Sequence, residues 1–144
     1  MNVFKTTPSE HQIGLGLLVL RLALGTVFVI HGGQKLFVMG PSGTGGMLAQ
    51  MDIPGASFVG PLLSVVEPLA GAAVLIGLLT RVAALGIAAD MLGAIVLFHS
   101  KHGFFVPAGI EFPMMLVATA LALMLLGPGR FSADHVIDQR RNRS

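Results

Sequence analysis

The chain has 144 residues, of which 53% are hydrophobic and only 11% charged. A soluble domain of this size carries about 25% charged residues, so the composition points to a multispan membrane protein built as one bundle, with no second domain. There is no cysteine, which excludes disulfides, thiol nucleophiles, dithiol relays and iron–sulfur ligation by this chain. There is also no Trp or Tyr for an interfacial belt, so Phe and basic residues must anchor the helix ends. The net charge of +2 comes largely from the tail, and in a membrane protein it speaks for leaflet and topology effects rather than nucleic-acid binding.

Four apolar runs read as spans: residues 13–38, 58–79, 82–98 and 112–126. Each approaches the ~20 residues that a hydrocarbon core of about 30 Å requires. They must be helices, because no other open segment satisfies its own backbone in lipid. The fold class is therefore all-α, an integral membrane four-helix bundle. The first run follows a polar head, Met1 to Gln12, and continues past Arg21 without a cleavage-type ending, so it reads as a span and not as a signal peptide. It ends at Gly40-Pro41-Ser42-Gly43, and the stretch from Met39 to Ser57 reads as a long loop. Pro68 lies inside the second run and predicts a kink near Ser64, beside Glu67. Pro113 suits the first turn of the fourth helix. Residues 127–144 form a basic tail.

An even number of spans puts both termini on one side. That side carries Lys5, Arg81, Arg130, Arg140, Arg141 and Arg143, and the opposite side only Lys35 and Lys101. The positive-inside rule then predicts cytoplasmic N- and C-termini, with the loop 39–57 and the loop 100–110 facing outward as a cap.

An ionised group inside a span is costly unless paired or solvated, so such residues mark function or register. Arg21 and Asp90 come to similar depth at about 1.5 Å per residue and are expected to form a structural ion pair. A second polar layer lies further out: His31, Gln34 and Lys35 on the first helix, Glu67 on the second, His99, Lys101 and His102 at the end of the third, and Glu111 at the start of the fourth. Arg21, His31 and Lys35 share a face within roughly 80°. His31, Glu67 and Glu111 are expected to converge on one pocket, with Lys35 and His102 at its rim. Such imidazoles and carboxylates suit a quinone headgroup, whose oxygens gain and lose protons when electrons move. The competing readings are a His31–Glu67 structural pair and, more weakly, a metal held by His31, His99 and His102. The glycines of the spans let helices approach closely, and the methionines read as packing.

Arg21-x-x-Leu-Gly with His31-Gly32, and Arg81-x-x-x-Leu-Gly with His99-Ser-Lys-His-Gly103, suggest a parallel helix-pair repeat. Further blocks carry a family likeness: Leu20-Arg21-Leu22-Ala23-Leu24-Gly25, His31-Gly32-Gly33-Gln34-Lys35-Leu36-Phe37, Glu67-Pro68-Leu69-Ala70-Gly71, Gly77-Leu78-Leu79-Thr80-Arg81 and Leu125-Leu126-Gly127-Pro128-Gly129-Arg130-Phe131-Ser132. With His102-Gly103-Phe104-Phe105 and Gly109-Ile110-Glu111, they make a chain that resembles the DoxX family of small bacterial and archaeal membrane proteins.

The resemblance implies a four-helix inner-membrane protein linked to quinone-coupled respiratory or sulfur redox systems, after the namesake thiosulfate–quinone oxidoreductase subunit. It points to Arg21, His31, Lys35, Glu67, Arg81, His102 and Glu111. No catalytic residue and no self-contained redox motif is identifiable, so electrons would come from a partner or a bound cofactor. Three readings follow. The first is a quinone-associated subunit or membrane anchor of a redox enzyme. The second is a non-enzymatic scaffold of a membrane complex. The third, ranked below both, is a small-solute or proton transporter that works as a homo-oligomer or through a very narrow path.

Overall fold

The computed structural model describes residues 7–143; Lys5, the start of the polar head and Ser144 lie outside the described residues. Among those described, the elements are all helical: α1 (Glu10–Gly33), a π-helical stretch (Gln34–Met39), α2 (Gly40–Gln50), α3 (Ala56–Ile76), α4 (Thr80–Leu97), a 3-10 turn (His99–His102), α5 (Glu111–Leu126) and α6 (Ala133–Arg141). Three helical runs are long and apolar enough to cross a membrane, and α5 is a shorter apolar helix.

Helix α1 begins three residues before the apolar run because a capping box starts it. Ser9 Oγ accepts from Gln12 N at 3.2 Å, and Ser9 N donates to Gln12 Oε1 at 2.8 Å, satisfying two of the donors that every helix start leaves free. α1 packs on α3, α3 on α4, α4 on α5, and α5 closes back on α1. Inside this ring Leu17, Leu24, Phe28, Val74, Ile87, Ala120 and Leu123 form a dry core. Outside it, Val19, Ile30, Leu69, Val96 and Leu125 stand well exposed, as a lipid-facing surface requires. One end of the bundle, the terminal end, carries the start of α1, the turn between α3 and α4, and α6. The other, the loop end, carries the turns after α1 and α4.

The loop expected between Met39 and Ser57 is instead largely helical. Gly40 turns the chain with φ of 73°, a left-handed conformation that only glycine adopts without strain. Pro41 then sits at the start of α2, where its missing N–H is harmless. The buried Thr44 hydroxyl bonds the Lys35 and Gly40 carbonyls, with oxygen separations of 3.2 and 3.0 Å, folding α2 back beside the first turns of α3. A Cβ added to Gly60 would lie 2.9 Å from the Thr44 carbonyl carbon and closer still to Gly45. The glycines that read as loop formers thus serve helix contact, the use small residues have in lipid.

Pro61 and Pro68 both lie within α3, which is assigned as continuous from Ala56 to Ile76. The Ser64 hydroxyl donates to Gly60 O at 2.8 Å, one turn back. α3 ends at Gly77, φ 72°, with Leu78 N bonding Ala73 O at 2.9 Å, a C-terminal cap built on a left-handed glycine. Asp134, at the start of α6, then holds the next turn: Oδ1 accepts from Leu79 N at 2.8 Å and Oδ2 from Thr80 N at 3.1 Å. It therefore caps α4 from the tail and ties the start of α6 to this end of the bundle, while α6 itself has no buried residue.

The α1–α3 contact is tight at Gly71, where an added Cβ would lie 2.7 Å from the Val29 nitrogen. Gly71→Ala should lower stability by about 1–3 kcal/mol, the usual cost of overpacking. Gly86→Ala meets nothing within 4 Å and should be neutral or gain up to ~1 kcal/mol in helix propensity. Thermal melts of both variants in one detergent check the contrast.

Candidate functional site

Two polar layers exist, but their partners differ from those expected. Arg21 is 1% exposed, and its guanidinium is held by carbonyls. Nε donates to Val74 O at 2.9 Å, Nη2 to Leu75 O at 2.8 Å, and Nη1 to Pro128 O and Phe131 O at 3.0 and 2.7 Å. The first two belong to the last turn of α3, where carbonyls lack intrahelical donors and the helix dipole is negative. Asp90 is not its partner. Helix side chains lean toward the N-terminus of their own helix, and the long Arg21 arm carries its charge down to the terminal end. Asp90, on a short arm, stays near mid-depth. The carboxylate acting on Arg21 is Asp134.

The second layer centres on Lys35 and Glu67. The Lys35 ammonium makes a direct ion pair with Glu67 Oε1, and Glu67 is 3% exposed. Lys35 sits one turn beyond His31 on the same face of the first helix and leans back toward the bundle centre. It takes the place expected of His31 in a pair with Glu67. Asp90 faces the same spot: its carboxyl hydrogen-bonds that of Glu67 and Lys35 acts on it electrostatically, while its buried Oδ2 receives no N–H or hydroxyl donor. Two carboxylates thus share one ammonium.

Two cavities flank this cluster, with Lys35, Glu67, Met91 and His99 in the wall of both. The larger, about 390 Å³, lies between α2, α3 and α4, and its apolar sides include Met47, Met51, Leu63 and Leu97. Asp90 lines it as well. The smaller, about 260 Å³, is bounded by Phe28, His31, Pro107 and Phe112. His31 is exposed, and its side chain makes no hydrogen bond to the described residues. His99 Nδ1 lies 2.6 Å from Ala108 O. A carbonyl only accepts, so Nδ1 carries the hydrogen, and in the neutral ring Nε2 is an acceptor.

Glu111 does not converge with His31 and Glu67. Its Oε1 accepts from Val106 N at 2.7 Å, tying down the segment before α5. Its short arm at the first residue of α5 reaches back along the preceding chain. His102 lines neither cavity; its ring lies 4.4 Å from that of Phe98, and Nδ1 is 3.0 Å from Phe98 O. Nor do His31, His99 and His102 gather around a metal: among the described residues no three His, Cys, Asp or Glu side chains do so, and His99 Nδ1 is already engaged.

Sequence reasoning missed the placement of Asp90 in this layer and the contribution of α2. The signal for α2 was the spacing of Met47 and Met51, four residues apart and hence on one helical face, hidden by the glycines around them.

The DoxX family model matches residues 16–100. This chain belongs to the DoxX family. An uncharacterized membrane protein of Mycobacterium tuberculosis is 37% identical over 135 residues, covering 86% of this chain and 82% of that protein. The Bacillus subtilis protein provisionally named oxidoreductase CatD is 33% identical, covering 83% of this chain and 84% of its own length. The inner membrane protein YqjF of Escherichia coli is 32% identical, covering 88% and 95% respectively. No solved structure matches. The matched region of this DoxX protein contains Arg21, His31, Lys35, Glu67, Asp90 and His99, so both polar layers lie largely within it.

A double-mutant cycle tests the pairing. Lys35→Met alone strands a buried Glu67 and should cost about 3–5 kcal/mol, whereas Lys35→Met with Glu67→Gln should cost far less. The cycle between Arg21→Ala and Asp90→Ala should be additive within ~0.5 kcal/mol, read from unfolding in detergent.

Proposed function

We propose that this protein is a quinone-associated membrane subunit, anchoring or serving a redox enzyme whose other components carry the electrons. The observation that carries the reading is the Lys35–Glu67–Asp90 cluster set between two apolar cavities, with His31 and His99 in reach of the smaller. Ligand sites are characteristically apolar pockets of roughly 300–1,000 Å³ with a few convergent polar groups. Here those groups are proton-exchanging side chains, which suits a headgroup whose oxygens change protonation as it changes redox state. The name of the Bacillus subtilis relative is consistent with redox work. The chain has no cysteine and no redox motif of its own, so a partner enzyme must supply or take up electrons.

Purification in mild detergent followed by organic extraction and mass spectrometry tests this. The expected result is an isoprenoid quinone near one equivalent in the wild type. His31→Ala should lose most of it with an unchanged melting temperature, because His31 touches the cavity and holds no fold contact. Wild-type protein that retains no quinone, and that binds none when it is added back, overturns the reading in favour of a scaffold.

The same proposal sets both termini in the cytoplasm, as the basic residues at the terminal end favour. Arg81, Arg130, Arg140, Arg141 and Arg143 lie there, while at the loop end Lys35 is turned onto Glu67 and leaves Lys101. Reporters fused after Arg143 should be active only as cytoplasmic markers, and reporters inserted at Asp52 only as external ones.

A further inference from the structure

A third cavity, about 420 Å³, lies at the terminal end, away from the Lys35 cluster, between the start of α1 and residues 129–139. Ile13 and Leu17 of α1 give it an apolar side, and Glu10, Arg130, His135 and Gln139 give it a polar one. The apolar run of α1 begins at Ile13 and that of α5 ends at Leu126, so the cavity sits where hydrocarbon gives way to headgroups. Arg130 is oriented by packing. Its arm lies across Gly14, where an added Cβ would come 2.7 Å from Cγ, and its guanidinium carbon is 5.5 Å from the centre of the Phe131 ring. A stacked guanidinium keeps its in-plane N–H fork available. Gln139 Nε2 lies 3.0 Å from His135 Nε2. The amide N–H donates there, so the neutral ring carries its hydrogen on Nδ1, a second donor. Glu10 supplies the opposite charge from the first turn of α1. Glu10 and Arg130 both line the cavity, yet they make no ion pair with each other.

A cation and an anion set apart on one polar wall, beside an apolar wall, complement a zwitterion that carries a hydrocarbon tail. The Arg130 fork matches phosphate oxygens bidentately. A primary ammonium brings three N–H donors and suits the Glu10 carboxylate. A purely anionic headgroup would set a like charge against Glu10, and a quaternary ammonium has no N–H to donate to it. We infer that this cavity binds a phospholipid with a zwitterionic primary-amine headgroup, of which phosphatidylethanolamine is the simplest. Its phosphate lies on Arg130 and His135, its ammonium on Glu10, and the start of its acyl chains along Ile13 and Leu17. Basic pockets between transmembrane helices are recurrent headgroup sites, and the carboxylate adds the selectivity here. Helix α6 has no buried residue of its own, so a lipid seated between it and α1 also gives it a packing partner.

The test uses the full-length protein, delipidated in detergent, with dioleoyl phosphatidylethanolamine, phosphatidylcholine and phosphatidylglycerol, which share their chains and differ in headgroup. Native mass spectrometry reads the fraction of protein that retains one lipid at equal concentrations. Phosphatidylethanolamine should bind at least about tenfold more tightly than either of the others, the equivalent of ~1.4 kcal/mol. Glu10→Gln should bring phosphatidylethanolamine and phosphatidylglycerol to within about threefold of each other. Arg130→Gln should weaken phosphatidylethanolamine by about tenfold. Arg143→Gln, in the same tail but outside the cavity, should leave retention unchanged. Water-soluble glycerophosphoethanolamine should not displace the lipid, because it lacks the chains that Ile13 and Leu17 contact. Glu10 is exposed, so the wild-type ranking and the Glu10 variant decide the matter even where Arg130→Gln fails to fold. Equal retention of the three lipids, an unchanged ranking in Glu10→Gln, an equal loss in Arg143→Gln and Arg130→Gln, or displacement by the soluble headgroup overturns the inference. None of these outcomes bears on the quinone reading, which concerns the other two cavities.

Discussion

A guanidinium buried among apolar helices imposes the constraint from which much of this structure follows. Arg21 cannot be left unsolvated, and its fan of N–H donors is met by carbonyls from two separate parts of the chain: the end of α3 and the link between α5 and α6. One side chain therefore joins three helical segments at the terminal end. The neighbouring turn is drawn to match. A Cβ on Gly77 would lie 2.6 Å from the Arg21 guanidinium carbon, so the residue must be glycine for space as well as for its left-handed backbone. Asp134 completes the arrangement by capping α4 and placing a negative charge near Arg21 without a direct ion pair. Backbone carbonyls carry partial charges, so this solvation is spread over several dipoles and needs no buried carboxylate.

The second layer is solved differently, and the difference explains why it is the chemically interesting one. Lys35 lies in the π-helical stretch, a geometry found mostly as single-turn insertions at functional sites. Its carbonyl accepts from Thr44, while its ammonium goes to Glu67. The pair leaves Asp90 with the Glu67 carboxyl and no N–H donor of its own, in contrast to Arg21, four of whose N–H groups reach carbonyls. Two buried side-chain oxygens among the described residues lack a donor, Thr80 Oγ1 at the terminal end and Asp90 Oδ2 in the middle of the bundle, and of the two residues only Asp90 lines one of the cavities described. Real proteins break local satisfaction rules at functional sites and compensate elsewhere.

The sequence made the spans legible because lipid forces helices with their backbone groups internally bonded, so long apolar runs had one solution. It also made legible that Arg21, Lys35, Glu67 and Asp90 must matter. What it concealed was pairing. Depth counted in residues placed Arg21 level with Asp90, but a long side chain moves its charge by about a turn toward the helix start, and that reach decided both partnerships: Arg21 toward the terminal end and Lys35 toward the bundle centre. Glu111 and His102 were legible as polar residues near the loop end, but as members of a site they were not. Each is engaged by its own local backbone, a competition that short-range geometry wins over a distant pocket. α2 was concealed for a different reason. Gly, Pro, Ser and Thr read as a loop in water, and the partner that makes them a helix, Gly60 on α3, is remote in sequence.

That concealed helix also settles what kind of cavity the protein offers. Without α2, the wall formed by Val59, Leu63 and Asp90 would lie open beside α3 and α4. With it, Met47 and Met51 supply the facing side and a bounded volume results. The Gly45–Gly60 contact brings α2 close, and Thr44 fixes it to the same π-helical stretch that carries Lys35. The position of the cavity's apolar side and the position of its cation are therefore mechanically linked through a few residues. A shift of α2 would move the Lys35 backbone and strain the ion pair with Glu67.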